Sequence, residues 1–311
     1  MIRKAPKATE QRNPRTRGIG GKSAREIIHA IHREDAIVTK AVAAALPAIS
    51  RAVETIVRAL ESGGRLFYVG AGTSGRLAVL DAAELPPTFG TSPGMVQGVI
   101  AGGSRALTHA VEGAEDDRAQ GARDLAAHGV SSKDVVVGVT ASGSTPYVLG
   151  ALEFANRAGA ATAGITSNPR TPITRLAKIS IVTPTGPEAI TGSTRMKAGS
   201  AQKMVLNMLS TAVMIRLGRV YDNWMIGVAL TNRKLQARGL RILMEASGAT
   251  VANATRALRQ SGHSMDAALI ILKTGASAEE AKRLLRANNG NVYNALTHTK
   301  RSSKGKDRTH G

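Results

Sequence analysis

Residues 65–80 read RLFYVGAGTSGRLAVL: a short apolar run, a glycine-rich turn, then a stretch with apolar residues at helical spacing. A strand feeding through glycine into a helix is half of a βαβ unit. The arrangement recurs along the chain. Val- and Ile-rich runs appear at QGVIAGG (97–103), DVVVGVTA (134–141), ATAGITS (161–167) and KISIVTP (178–184), and helical stretches near 104–128, 145–158 and 199–218 separate or follow them. Strands without polar alternation, interleaved with helices, predict an α/β fold whose parallel sheet is covered on both faces.

Outside this region the pattern changes. Residues 1–22 are rich in Arg, Lys, Gly and Pro and read as an extended basic arm. Ser23 with Glu26 forms a capping box that opens a helix. A second helical stretch over 36–61 carries Pro47, which should kink or interrupt it. Beyond about 219 the chain reads as helical throughout, broken at Gly239, Gly248, Gly262, Gly275 and Gly290. The expected organisation is an arm (1–22), N-terminal helices (23–62), an α/β domain (63–234), a helical module (235–299) and a disordered basic tail (300–311).

The 311 residues carry a formal charge of +20, and such basicity invites a nucleic-acid partner. Its distribution argues against one, because residues 61–230, which hold the α/β pattern, contribute only +3. Aromatics make up only 3% of the chain, leaving little to stack on bases. The absence of Cys excludes disulfides, thiol nucleophiles and iron–sulfur clusters, and no H-E-x-x-H supports a metal site. With no signal-type apolar stretch and no membrane-length run, a cytoplasmic protein with no membrane partner is expected.

Gly70–Gly75 fits G-x-G-x-x-G between a strand and a helix, but residues 85–111 contain no Asp or Glu to hold a cofactor ribose. Thr73 and Ser74 instead place hydroxyls at a helix start, where free N–H groups favour an anion. Ser142-Gly143-Ser144-Thr145-Pro146 ends another strand in the same manner. Two such loops in one parallel sheet point to a phosphate monoester. GPEAITGSTRMKAGSAQK (186–203) adds Arg195 and Lys197 beside hydroxyls, a further phosphate-type combination. Glu84 follows the first of these helices, with Pro86 and Pro87 expected to stop it. Glu112, Glu115, Asp116 and Asp117 cluster further on, readable either as a solvated helix start or as part of a site.

Taken in order, TEQRNPRT, YVGAGTSGRL, DAAELPPTFG, GVIAGG, AVEGAEDD, ASGSTPYV and GPEAITGSTRMKAGSAQK resemble the bacterial N-acetylmuramic acid 6-phosphate etherases, from about residue 8 to 235. The resemblance implies a sugar isomerase (SIS) fold, a three-layer α/β/α sandwich, followed by a small ubiquitin-associated-like all-helical module. It implies a carbon–oxygen lyase that removes the lactyl ether to give N-acetylglucosamine 6-phosphate and D-lactate, with no cofactor and no metal, in a homodimer. By the same resemblance Glu84 and Glu115 are the catalytic pair, and Thr73, Ser74, Ser142, Ser144 and Thr145 hold the 6-phosphate, with Arg195 and Lys197 as further candidates. Two positions depart from the family pattern: Leu85 stands where Cys is frequent, and Ser144 where Arg is usual, a lost cation that Arg76 or Arg195 is expected to replace. The alternative is a non-catalytic sugar-phosphate-binding regulator of the glucokinase regulatory protein type, which would need neither Glu84 nor Glu115; a sugar-phosphate isomerase is a further one.

Overall fold

The computed structural model describes residues 7–228, 230 and 233–297; the predicted tail over 300–311 lies outside them. The chain forms two compact units, Met1–Ala83 with Pro93–Ser210, and Glu84–Ser92 with Thr211–Gly311.

In the first unit the helices α1 (Ala24–Asp35), α2 (Ile37–Ala43) and α3 (Leu46–Glu61) precede the sheet. The capping box forms as expected: Ser23 Oγ accepts from Glu26 N, and Glu26 Oε2 accepts from Ser23 N at 2.9 Å. Pro47 falls in the first turn of α3, where its missing N–H is not needed. The chain bends by 58° between the α1–α2 stretch and α3.

Strand β1 (Leu66–Gly70), helix α4 (Gly72–Phe89), β2 (Val96–Ile100), α5 (Arg118–Ala127), β3 (Val135–Val139), α6 (Pro146–Arg157), β4 (Ala161–Thr166), α7 (Pro172–Leu176), β5 (Ile179–Val182) and α8 (Lys197–Arg216) follow. All five strands are parallel, in the order β2-β1-β3-β4-β5, with Leu66 level with both Val96 and Val135. Every residue of β1 and β3 is buried, which is why they read as unbroken apolar runs. Phe67, Val69 and Val136 pack with Tyr147 and Leu152 of α6 and Leu125 of α5 in one layer, while α3 lies against β3 and β5. Chain order reverses between β1 and β3, a switch point whose strand ends open a crevice.

Helices α5 and α6 approach through glycines. A Cβ on Gly121 would lie 2.0 Å from Tyr147 O, and one on Gly150 1.9 Å from Arg118 O. Gly121→Ala must separate the two backbones, at a cost of about 1–3 kcal/mol. We expect a lowered thermal midpoint, read by circular dichroism; an unchanged midpoint would mean that the helices part without cost.

The first unit departs from expectation in two places. The helix predicted over 104–128 is a 3₁₀ turn at Gly103–Leu107, an irregular stretch, and only then α5. Residues 7–22 are not an extended arm. They wind through three 3₁₀ turns, and Thr9, Asn13 and Thr16 are buried. Asn13 Nδ2 donates to Pro187 O at 3.2 Å, and Thr16 Oγ1 to Ala189 O at 2.8 Å.

In the second unit a hairpin of β6 (Val220–Tyr221) and β7 (Trp224–Met225), absent from the all-helical expectation, precedes α9 (Arg233–Ser247), α10 (Val251–Gln260), α11 (Met265–Thr274) and α12 (Ala278–Ala287). Ile226, Leu243, Leu258, Leu269, Ile270 and Val292 lie in its core. Thr250, Ser264 and Ser277 cap α10, α11 and α12, and Gly248, Gly262, Gly275 and Gly290 take positive φ at the breaks. Gly239 is not a break: it is buried inside α9, where a Cβ would meet Leu230 Cδ2 at 2.7 Å. Pro86 and Pro87 do not stop α4 either. They remove two backbone donors, yet the helix runs on to Phe89, with Leu85 and Phe89 buried one turn apart and Gly90 N bonded to Pro86 O at 3.0 Å.

Candidate active site

At the switch point, the loops after β1 and β3 enclose a cavity of about 560 Å³. Thr73, Ser74, Ser142, Ser144, Thr145 and Glu115 all line it, joined by Glu10 and Asp116. The first loop is shaped by close packing. A Cβ on Gly70 would lie 2.7 Å from Gly75 N, and one on Gly75 2.6 Å from Ile100 Cγ1. The glycines thus serve the strand–helix turn. In the second loop Gly143 has φ +72°, and a Cβ there would collide with Thr171 Oγ1 at 2.2 Å.

The start of α4 and the start of α6 both face the cavity, so the positive ends of two helix dipoles converge on it, although Pro146 of α6 has no N–H and that of Tyr147 is committed to Glu115 O. Thr145 precedes α6 without capping it. Its Oγ1 lies 2.7 Å from Thr140 Oγ1, which is 3.3 Å from Ser142 Oγ. The hydroxyl of Ser74 is committed to Gln202 Oε1 at 2.9 Å, so Ser74 offers the cavity its backbone N–H. Glu115 is placed through its main chain: its carbonyl accepts from Tyr147 N at 3.0 Å, which ties the irregular 108–117 stretch to α6. Its side chain is exposed.

Glu115 also borders a smaller recess of about 150 Å³ whose lining includes Arg76, Ala101, Ala106, Val111 and a second carboxylate, Glu112. Arg76 holds the recess wall by donating to Leu107 O at 3.3 Å and His109 O at 3.1 Å. Among the described residues no three His, Asp or Glu side chains gather as a metal site. No single helix among them is long and apolar enough to cross a membrane.

Three sequence-derived candidates are not among the lining residues. Arg195 is exposed outside the cavity, and only Gly192 and Thr194 of its segment face in. Lys197 is fully buried, its Nζ 2.7 Å from Glu34 Oε2, while its N–H and that of Ala198 donate to Glu188 at 3.0 and 2.9 Å. Glu188 caps α8; burial pushes its carboxyl up from the ordinary value, against the pull of those two N–H groups. The polar density of residues 186–203 is thus largely internal. Glu84 is exposed on α4, in the second unit. Conversely, sequence reading missed Glu10 as a lining residue. The one signal was its place in the TEQRNPRT stretch, quoted only for resemblance.

The family model described as the glucokinase regulatory protein N-terminal SIS domain matches residues 48–156, and that of the SIS domain matches residues 116–212. A phosphoheptose isomerase from Francisella tularensis superposes with a TM-score of 0.52 over 62% of this chain and all of that one, at 20% identity, a likeness of fold alone. Curated relatives named N-acetylmuramic acid 6-phosphate etherase are 49% identical in Geobacillus thermodenitrificans and 51% in Yersinia pestis, each match covering 93% of this chain and 98% of the relative. The sheet order, the hydroxyl-lined loops and this identity along nearly the whole length agree, and the chain belongs to the N-acetylmuramic acid 6-phosphate etherase family.

Proposed function

We propose that this protein cleaves the lactyl ether of N-acetylmuramic acid 6-phosphate by elimination and hydration, releasing D-lactate and N-acetylglucosamine 6-phosphate. The observation that carries the reading is the cavity at the β1/β3 switch point, with a carboxylate beside two hydroxyl-bearing helix starts, in a chain of this family. In the open-chain sugar the aldehyde acidifies the proton on carbon 2. A base removes it, the ether oxygen on carbon 3 leaves as lactate, and water adds to the double bond. Two groups must exchange protons, one at carbon 2 and one at the departing oxygen.

The 6-phosphate is assigned to the N-termini of α4 and α6, with Thr73, Ser142, Ser144 and Thr145 donating hydroxyls and Ser74 its N–H. Glu115, beside both the cavity and the recess, is assigned one proton-transfer role. The recess suits the lactyl group, its methyl against Ala101, Ala106 and Val111 and its carboxylate toward Arg76. Glu84 is assigned the other role. Its side chain is exposed and lines neither the cavity nor the recess. We therefore place it in the site of the second subunit of a homodimer.

The test is incubation with N-acetylmuramic acid 6-phosphate and enzymatic detection of D-lactate. Release is the expected result; binding without release would replace the lyase by a sugar-phosphate sensor.

A further inference from the structure

The cavity assigned to the phosphate is electrostatically incomplete. Glu10, Glu115 and Asp116 line it, and among its described lining residues there is no Lys, Arg or His. A phosphate monoester carries about −1.5 to −2 charges at pH 7. Each helix start offsets this by roughly half a charge, which two helices cannot extend to three carboxylates as well.

One cation reaches the hydroxyl cluster from beside the wall: Lys7 Nζ donates to Ser144 Oγ. Ser144 Oγ lies 3.3 Å from Ser142 Oγ, so the ammonium stands at the end of the row of hydroxyls that runs back to Thr140. The backbone holds Lys7 there. Its carbonyl accepts from Glu10 N at 2.9 Å, closing the first 3₁₀ turn. The buried Thr9 inside that turn accepts from Asn168 Nδ2 at 3.0 Å through its hydroxyl and donates its N–H to Asn168 Oδ1 at 3.4 Å. Asn168 Nδ2 also donates to Ala141 O at 2.9 Å, the residue before Ser142. A single side chain thus ties the Lys7 turn to the Ser142–Thr145 loop.

We propose that Lys7 is a substrate-binding residue, supplying the full positive charge that the 6-phosphate needs at the Ser142–Ser144 loop. The inference rests on the function proposed above. An ammonium has three donors, so one bond to Ser144 leaves two for phosphate oxygens.

The test uses Lys7→Met and the double variant Lys7→Met/Ser144→Arg, which returns a long cation to the same hydroxyl cluster from the loop itself. For Lys7→Met, KM for the sugar phosphate is expected to rise about ten-fold, the loss of one charge-assisted contact at a half-buried site, with kcat changed less than about two-fold. The Kd of inorganic phosphate, read by calorimetry without turnover, should weaken by the same factor. The double variant should recover most of both, which a lysine serving only to anchor the segment would not allow. An unchanged phosphate Kd in Lys7→Met, or a weakened one that Ser144→Arg does not restore, would overturn the proposal. In the first case normal D-lactate release would leave the lyase reading standing; absent release by the unsubstituted protein would remove that reading while the phosphate Kd still judges Lys7.

Discussion

Glu115→Gln should lower kcat for lactyl ether cleavage by about two to four orders of magnitude, the usual worth of a positioned proton-transfer group. The amide keeps the size and hydrogen-bonding reach of the carboxylate but cannot take up and return a proton at pH 7. Phosphate affinity should survive, because the loops that offer N–H and hydroxyl donors are untouched and one negative charge has left the cavity wall. Glu84→Gln should produce a similar loss. The informative step is to co-express the two inactive chains. If each site combines Glu115 of one copy with Glu84 of the other, a mixed dimer holds one doubly substituted site and one intact site, and a random mixture recovers about a quarter of full activity. No recovery would place both carboxylates in one chain; full activity in either single variant would remove that residue from the mechanism.

The second large effect concerns stability. Glu34 is buried at the centre of a cluster in which Lys197 Nζ lies 2.7 Å away, Asn13 Nδ2 donates at 2.7 Å and Arg15 Nη2 at 2.8 Å. Arg15 first, then Lys197 and Asn13, outweigh the burial that opposes ionisation, and hold the carboxyl at about 2 against an ordinary 4.5. The folded value is the lower one, so this group stabilises the fold fully above pH ~4.5 and ceases to do so as pH falls toward ~2. Glu34→Gln leaves the Lys197 ammonium in the interior without its counter-charge, at a cost of about 3–5 kcal/mol near neutral pH. In calorimetry the midpoint should fall by roughly 10 °C, and the gap between variant and parent should narrow as pH drops below about 4. Lys197→Met should cost less, because Glu34 keeps Arg15 and Asn13. A Glu34→Gln protein as stable as its parent at pH 7 would mean that the ion pair contributes no net stability.

The sheet was legible for a physical reason. Strands buried on both faces admit few polar residues, so LFYVG and VVVGV stand out without help from periodicity. The two loops were legible because a glycine turn and hydroxyls before a helix make a local pattern. What escaped depends on distant partners. Nothing near Lys197 says that its ammonium is buried against Glu34, 163 residues away, so a basic residue beside hydroxyls reads as a ligand contact. Thr9, Asn13 and Thr16 look like polar residues of a solvated arm because their partners lie far along the chain. Gly239 looks like a break because a sequence does not show which side chains crowd a helix face. The 108–117 stretch reads as helical, yet Gly113 sits at φ +73° within it and Glu115 O accepts from Tyr147 N, 32 positions further along the chain.

The folded N-terminal segment has a consequence for how the protein is made. Thr9, Thr16 and Asn13 bond to residues 159, 173 and 174 positions later. At a synthesis rate of about 5–20 residues per second, the segment waits roughly 8–35 s for those partners to leave the ribosome. Until then Lys7 and Glu10 have no cavity to join. Residues 7–22 are thus synthesised well before they can take their places, and a chain that stops short of Asn168 carries β1 and its glycine loop without the wall that this segment adds.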